Sequence, residues 1–232
     1  AMRTFAVIFA TLLGIAAGTV HSAAIADSAN HDSDHMSCIT TSAQGANWAG
    51  RDLHGQRLEY TDLRHADLHG ANLRDAHLTC VDLRDADLRG ADLRGAALAG
   101  VDFAGAKLEG VTFDGVRSTG VSVPDGTLST LSNAQLRAVL NDCTGCNFAG
   151  ADLRGRNITG VRLTGANFAD ADLRGADLRG AYFTGVNFSH TQLAGVKLEN
   201  AALIGCNFRG VDLSTVDLSA AHMTGDNFSN RL

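Results

Sequence analysis

The 232-residue chain has one proline, Pro124, and only 6% aromatic residues, although it carries 26 glycines. Glycine at that level without proline excludes a collagen-like polymer and an ordinary disordered linker, and favours a periodic architecture. Positive charge is also short: 19 Lys and Arg stand against 25 Asp and Glu, a net charge of −6. That excludes a strongly basic nucleic-acid-binding protein of the usual kind. The motifs of common enzymes are missing. There is no G-x-S-x-G elbow, no glycine-rich phosphate loop opening a helix, and no converging Ser–His–Asp set. The five cysteines are an odd number, so at least one thiol is unpaired or intermolecular.

Long apolar runs are scarce as well. The one near the N-terminus, Phe5 to Ala17, is too short to span a bilayer comfortably and has a polar sequel. With Arg3 before it and Ala24-Ile25-Ala26 before Asp27, it reads as an export signal over residues 1–26, cleaved near Ala26. The remaining chain is expected to be periplasmic or secreted, with no stable membrane insertion after cleavage.

What the chain does have is a period. From Trp48 onward, large apolar residues fall at every fifth position, as in Leu53, Leu58, Leu63, Leu68 and Leu73, and the phase returns from Phe148 to Phe228. A small residue, usually Ala or Val, stands two places before each. Of the 26 glycines, 23 lie at positions divisible by five. A period of five fits neither the 3.6 of a helix nor the 2.0 of a strand. It fits a chain that turns a corner every five residues, with the large and the small side chain inward and the other three in water. Four such flats close a square coil, and stacked coils pair as parallel strands about 4.8 Å apart. Glycine suits the corners because it accepts φ > 0.

Segments such as Ala86-Asp87-Leu88-Arg89-Gly90 and Ala171-Asp172-Leu173-Arg174-Gly175 resemble the consensus of the pentapeptide repeat family, A-[DN]-[LF]-x-x. The resemblance implies that family's fold: an all-β solenoid, a right-handed quadrilateral parallel β-helix. It covers two stacked blocks, 46–118 and 146–230, after a polar lead-in at 27–45. Residues 119–145 form a joint with a turn at Pro124-Asp125-Gly126 and a short helix over Asn133 to Leu140, capped by Ser132. That helix is expected to cover an open coil end where the second stack begins. The two blocks together predict a rod of roughly 40 Å.

Residues twenty apart should share a side. In the second block this aligns Phe148, Phe168, Phe188, Phe208 and Phe228 as an aromatic column in the core. Beside it, Asn147, Asn167, Asn187, Asn207 and Asn227 align as a ladder of amides bonding along the axis. Both read as structural.

Other chemistry is weighed on the same frame. Cys143 and Cys146 can form a disulfide, remain buried thiols, or serve redox or metal chemistry; Cys146 and Cys206 fall in the small inward slot. Cys38 and Cys80 are a further candidate bridge. His54, His65, His69 and His77 fall on four different sides and cannot converge on one ion. The Asn30–His35 segment reads as a solvated tail. No cofactor, metal or catalytic residue is expected.

The leading expectation is therefore a non-catalytic exported structural or protein-interaction module whose partner is another protein and not nucleic acid. The resemblance supplies one alternative: a DNA-mimic protein that binds type II topoisomerase and confers inhibitor resistance. The export signal argues against it, as does charge, since residues 46–118 carry 12 acids and 9 bases and residues 146–232 carry 8 of each. A second alternative is a thiol/disulfide-active protein using Cys143 and Cys146. The resemblance also implies a homodimer through the C-terminal coil, which here carries Met223 and Phe228.

Overall fold

The computed structural model describes residues 38–123 and 125–229. The segment read from the sequence as an export signal, residues 1–26, the Asn30–His35 segment and Pro124 lie outside these residues. The described chain is a four-sided parallel β-solenoid of about nine turns with one short helix. Its strands are β1 (Thr41–Ser42), β2 (Arg57–Glu59), β3 (Thr61–Asp62), β4 (His77–Thr79), β5 (Ala97–Ala99) and β6 (Arg117–Thr119). After helix α1 (Asn133–Leu140) come β7 (Cys143–Thr144), β8 (Arg162–Thr164), β9 (Tyr182–Thr184), β10 (Ala202–Ile204) and β11 (His222–Thr224). Nine of these form one parallel sheet in the order β11-β10-β9-β8-β7-β6-β5-β4-β2, and β1 pairs with β3.

The period of five builds this directly. Each flat hides a small and a large side chain: Ala66 and Leu68, then Ala71 and Leu73, are all 1% exposed or less. Each corner closes with a backbone bond three residues back, as from Ala71 N–H to the Leu68 carbonyl at 2.9 Å. Ladders to the neighbouring coils then use the remaining polar groups, for example Leu68 N–H to the Asp87 carbonyl at 2.7 Å. The corner residue has φ > 0, and Gly105 shows why glycine serves there. Its φ is +69°, and a Cβ would also collide with the carboxylate of Asp85, one coil earlier at the same corner. The left-handed φ persists at the non-glycine corners Tyr60, His65, Asp75, Cys80, Asp85, Asp170, His190 and Asn200, but not at Thr215 and Ala220 in the last coil. Asp and Asn bear this best, because their short side chains bond locally.

We number the sides by their inward columns. The first begins Trp48, Leu68, Leu88; the second Leu53, Leu73, Leu93; the third Leu58, Leu78, Leu98; the fourth Leu63, Leu83, Phe103.

Two boundaries differ from the sequence reading. The solenoid begins before residue 46: Ala43 and Gly45 already donate to the carbonyls of Asp62 and Arg64. It also persists past residue 118, because Val121-Ser122-Val123 keeps the small–outward–large order without matching the consensus. Ser122 bridges to Asp102 on one side and to Asn147 on the other.

The helix does not close a coil end. Strand β6 pairs directly with β7 (Thr119↔Thr144), so the third and fourth sides run through the joint with a step of 25 residues in place of 20. The excursion replaces the first and second sides of one coil, with a 3-10 helix (Asp125–Thr130) followed by α1. Leu128, Leu136, Val139 and Leu140 supply the apolar groups that repeat residues would have supplied, each no more than 2% exposed. The third-side column narrows at the same level, to Ser118 and Cys143 where its other members before the last coil are Leu or Phe, leaving room for the helix. Broken ladder positions are taken over by side chains. Gln135, which completes the capping box with Ser132, also donates to the Val111 carbonyl, and Thr127 Oγ1 accepts from Gly105 N–H. The Arg156 guanidinium donates to the carbonyls of Ser129 and Leu131 and to Asn133 Oδ1, pinning the excursion to the next coil.

Candidate functional site

The outward side chains decide what the rod can bind. In an Asp-Leu-Arg unit the Leu points in, so Asp and Arg stand side by side outside and meet across two oxygens. Arg84 reaches Asp82 with Nη2–Oδ2 at 2.6 Å and Nε–Oδ1 at 2.9 Å, while its own N–H bonds Oδ1 as well. The same fork joins Asp87 to Arg89, Asp152 to Arg154, Asp172 to Arg174 and Asp177 to Arg179. These aspartates are expected in the sequence as exposed acids, yet Asp82 is 2% and Asp62 8% exposed, because Arg64 and Arg84 fold over them. At Asp62, burial pushes the carboxyl pKa up, and the hydrogen bonds and charge of Arg64, with Arg84 nearby, bring it below the ordinary range. The Arg89 and Arg154 hydrogen bonds bring Asp87 and Asp152 down to about 2.

This fixes the acid response. A carboxyl with a depressed folded pKa takes up a proton more readily when unfolded, so its contribution is complete above the unfolded value of about 3.9. It then fades as pH falls toward about 2. The melting temperature should therefore hold from neutrality to about pH 4 and fall below it. Asp87→Asn should flatten that fall; a midpoint declining steadily from pH 7 would contradict it.

Cys80 stands at a corner, whereas Cys143, Cys146 and Cys206 point inward. Cys38 is joined to Cys80 with Cα atoms 6.3 Å apart, and Cys143 to Cys146 at 6.0 Å. Cys143 and Cys146 are both inward and no more than 1% exposed, one in a large slot and one in the small slot of the next flat. Cys206 is free and buried, and burial pushes its thiol pKa up to about 11. The four histidines named above stand apart. His54 lies 3.8 Å from Asp75 and His65 3.9 Å from Asp85. Among the described residues no group of three or more His, Cys, Asp or Glu is placed to hold a metal ion.

On the fourth side the aromatic column stacks with centroid spacings of 5.1, 5.7, 5.2 and 5.3 Å from Phe148 to Phe228. Phe228 departs from the buried reading: it is 41% exposed, because it lies in the last described coil, where Leu213, Leu218 and Met223 are also only partly covered. Outside the rings, Asn167, Asn187, Asn207 and Asn227 each donate Nδ2–H to Oδ1 of the asparagine one coil earlier, at 2.9 to 3.4 Å. The same oxygens accept a backbone N–H two residues on, as at Ala169 and Ser189. The ladder continues a column that is Asp62, Asp82 and Asp102 before the joint. That column is thus acidic in its first half and neutral in its second.

The third side is unlike the others, and the sequence reading passed over it. Its outward columns hold Arg57, His77, Ala97, Arg117, Asp142, Arg162, Tyr182, Ala202 and His222 in one row. The other row begins at Glu59 and then holds Thr79, Thr119, Thr144, Thr164, Thr184 and Thr224, interrupted by Ala99 and Ile204. Tyr182 and Ile204, two of the four exposed large hydrophobic residues among those described, lie here at 50% and 46% exposure. The step of 25 residues at the joint hides this alignment from a search at a fixed interval of twenty.

A family model described as pentapeptide repeats matches residues 41–75, 76–115, 146–185, 162–200 and 187–225. Among solved structures, the chain is similar to HetL, a pentapeptide repeat protein involved in heterocyst differentiation regulation from the cyanobacterium Nostoc sp. strain PCC 7120. That match has 25% identity and a TM-score of 0.41, covering 82% of this chain and 87% of that one. It is also similar to full-length QnrB1, a plasmid-mediated fluoroquinolone resistance protein, at 16% identity and TM-score 0.36, covering 82% and 94%. A pentapeptide repeat protein from the cyanobacterium Cyanothece 51142, Rfr23, matches at 23% identity and TM-score 0.25, covering 67% and 89%. No curated protein matches. With five-residue units matched over well over half its length, and each building one flat of the solenoid, the chain belongs to the pentapeptide repeat family.

Proposed function

We propose that the chain is an exported, non-catalytic interaction rod of the periplasm or the extracellular space. The observation that carries this reading is the state of its cysteines: two pairs are bridged and the fifth is sealed in the core. Structural disulfides of this kind belong to oxidising compartments. Redox service is a poor fit for Cys143 and Cys146, because a working thiol must be reached and these are inside the solenoid. A DNA mimic needs a sustained negative surface, whereas here most Asp-Leu-Arg units neutralise their own acid and the Asn ladder replaces acid along half of one side. The partly open last coil, with Met223 and Phe228, is where a second copy would dock.

The test is cell fractionation combined with thiol counting. The chain should be recovered, processed, from the periplasm or the medium. Alkylation should label no cysteine in the native protein, one after unfolding and five after unfolding with reduction. The purified protein should leave gyrase supercoiling unchanged. Full-length protein in the cytoplasm with five reducible-free thiols and gyrase inhibition would reverse the reading.

A further inference from the structure

We infer that the third side is a binding surface for an extended acidic polysaccharide lying along the rod axis. The inference goes beyond the interaction rod proposed above and rests on it in one respect, since such polymers are met outside the cytoplasm.

Charge is the first argument. On the other sides arginines commonly follow an aspartate by two residues and are held by its carboxylate, as Arg94 is by Asp92. On the third side the order is reversed. At its first coil Arg57 is still held by Glu59 two residues on, with Nη2–Oε1 at 2.8 Å, but further along the acid gives way to threonine: Arg117 is followed by Thr119 and Arg162 by Thr164. Arg117 is exposed, with no ion-pair partner among the described residues. Arg162 has one loose contact, Nε to Asp142 Oδ1 at 3.8 Å, with both side chains more than 60% exposed. Exposed pairs of that kind are weak and are readily exchanged for a bidentate carboxylate. A chain of net charge −6 therefore keeps two of its arginines available on one flat side.

Shape and period give the second argument. Thr119, Thr144, Thr164 and Thr184 are successive Cα partners in the sheet, so their exposed hydroxyls recur once per coil, about every 4.8 Å. A sugar ring in an extended chain advances by about the same length, so one hydroxyl row can meet one ring per coil. A peptide lying along the axis rises about 3.3 Å per residue and falls out of step at once. Tyr182, one coil beyond Arg162 and half exposed, is the third element. The Arg162 guanidinium lies 4.8 Å from its ring centroid, which holds the ring in place. A ring held so offers its remaining surface to the apolar C–H face of a sugar and its hydroxyl to a sugar oxygen. Carboxylates for arginine, hydroxyls for threonine and a C–H face for tyrosine together describe a uronic-acid polymer.

Affinity electrophoresis of the full chain in gels containing polygalacturonate, dextran or polyglutamate tests this. Polygalacturonate should retard the protein, and neutral dextran and the flexible polyanion polyglutamate should not. Arg162→Ala and Arg117→Ala should each weaken retardation by about tenfold, and Tyr182→Ala by about fivefold. Asp142→Asn should strengthen it by about threefold, since it removes the competing carboxylate beside Arg162. Arg94→Ala, on the second side, should change nothing, and all variants should keep the parent circular dichroism spectrum. No retardation by polygalacturonate, equal retardation by polyglutamate, or a Tyr182→Ala variant that binds like the parent overturns the inference. An exported, disulfide-bonded chain that ignores polygalacturonate overturns this assignment alone. A cytoplasmic, reduced chain that still binds overturns the export reading and leaves this one standing.

Discussion

Phe188→Ala should cost about 3–5 kcal/mol of stability, the range for deleting a ring from a core that cannot collapse. Phe188 is 2% exposed and touches three other rings: Phe168 at 5.7 Å and Phe208 at 5.2 Å in near-parallel stacks, and Phe183 at 5.3 Å edge-on. The coils above and below are held at their spacing by backbone ladders, such as Phe168 N–H to the Asn187 carbonyl and Phe188 N–H to the Asn207 carbonyl. The walls of the vacancy are therefore fixed, and the lost contacts are not regained. Phe188→Leu, which restores most of the volume, should cost less than about 1.5 kcal/mol. Phe228→Ala, at the 41% exposed end of the same column, should cost under about 1 kcal/mol. Guanidinium denaturation of the three variants measures the series. Equal losses at 188 and 228 would mean that the column is not a continuous packed element.

That column shows how far the sequence could be read. A large residue at every fifth position and glycine at the corners are local requirements repeated many times, so each unit states the fold again. Phe148 through Phe228 and the asparagines before them can be aligned by adding twenty, because no insertion falls between them. Capping of α1 was also legible, since Ser132 and the apolar face of Leu136, Val139 and Leu140 are signals within a single turn or two. What could not be read depends on relations between distant segments. The joint looks like an end because the consensus fades after Ser118. Continuity is visible only in space, in the pairing of Thr119 with Thr144 and of Ser122 with Asn147, a step of 25 that no unit announces. The threonine and arginine rows of the third side straddle that step, so they form one surface in space and two unrelated series in the chain. Burial of Asp82 was hidden for another reason: it depends on how the Arg84 side chain folds, which the residue order permits but does not dictate.

Removing the Cys38–Cys80 bridge should loosen the N-terminal coil by about 4 kcal/mol, as expected for a crosslink closing a loop of 42 positions. Solenoid ends fray first, because a terminal coil has a neighbour on one side only. Here the first coil is held thinly: β1 is two residues long, and Thr40 and Thr41 both donate to the Tyr60 carbonyl. Cys80 occupies the next position of that corner column, one coil beyond Tyr60, so the bridge clamps the end coil across the intervening one. The Cys38→Ser/Cys80→Ser variant should lose about a thousandfold of amide-exchange protection at Thr41 and Ala43, with Phe168 and Phe188 unchanged. The second bridge should behave in the opposite way. Cys143 and Cys146 are three residues apart, so their link closes a short loop with a small entropic return, about 2 kcal/mol at most. Replacing Cys143 and Cys146 by Ala keeps the slot beside the helix small and matches Ala166 in the small slot of the next coil, and should leave the N-terminal amides untouched. If the two variants expose the same amides equally, the disulfides act on the rod as a whole and not on its end.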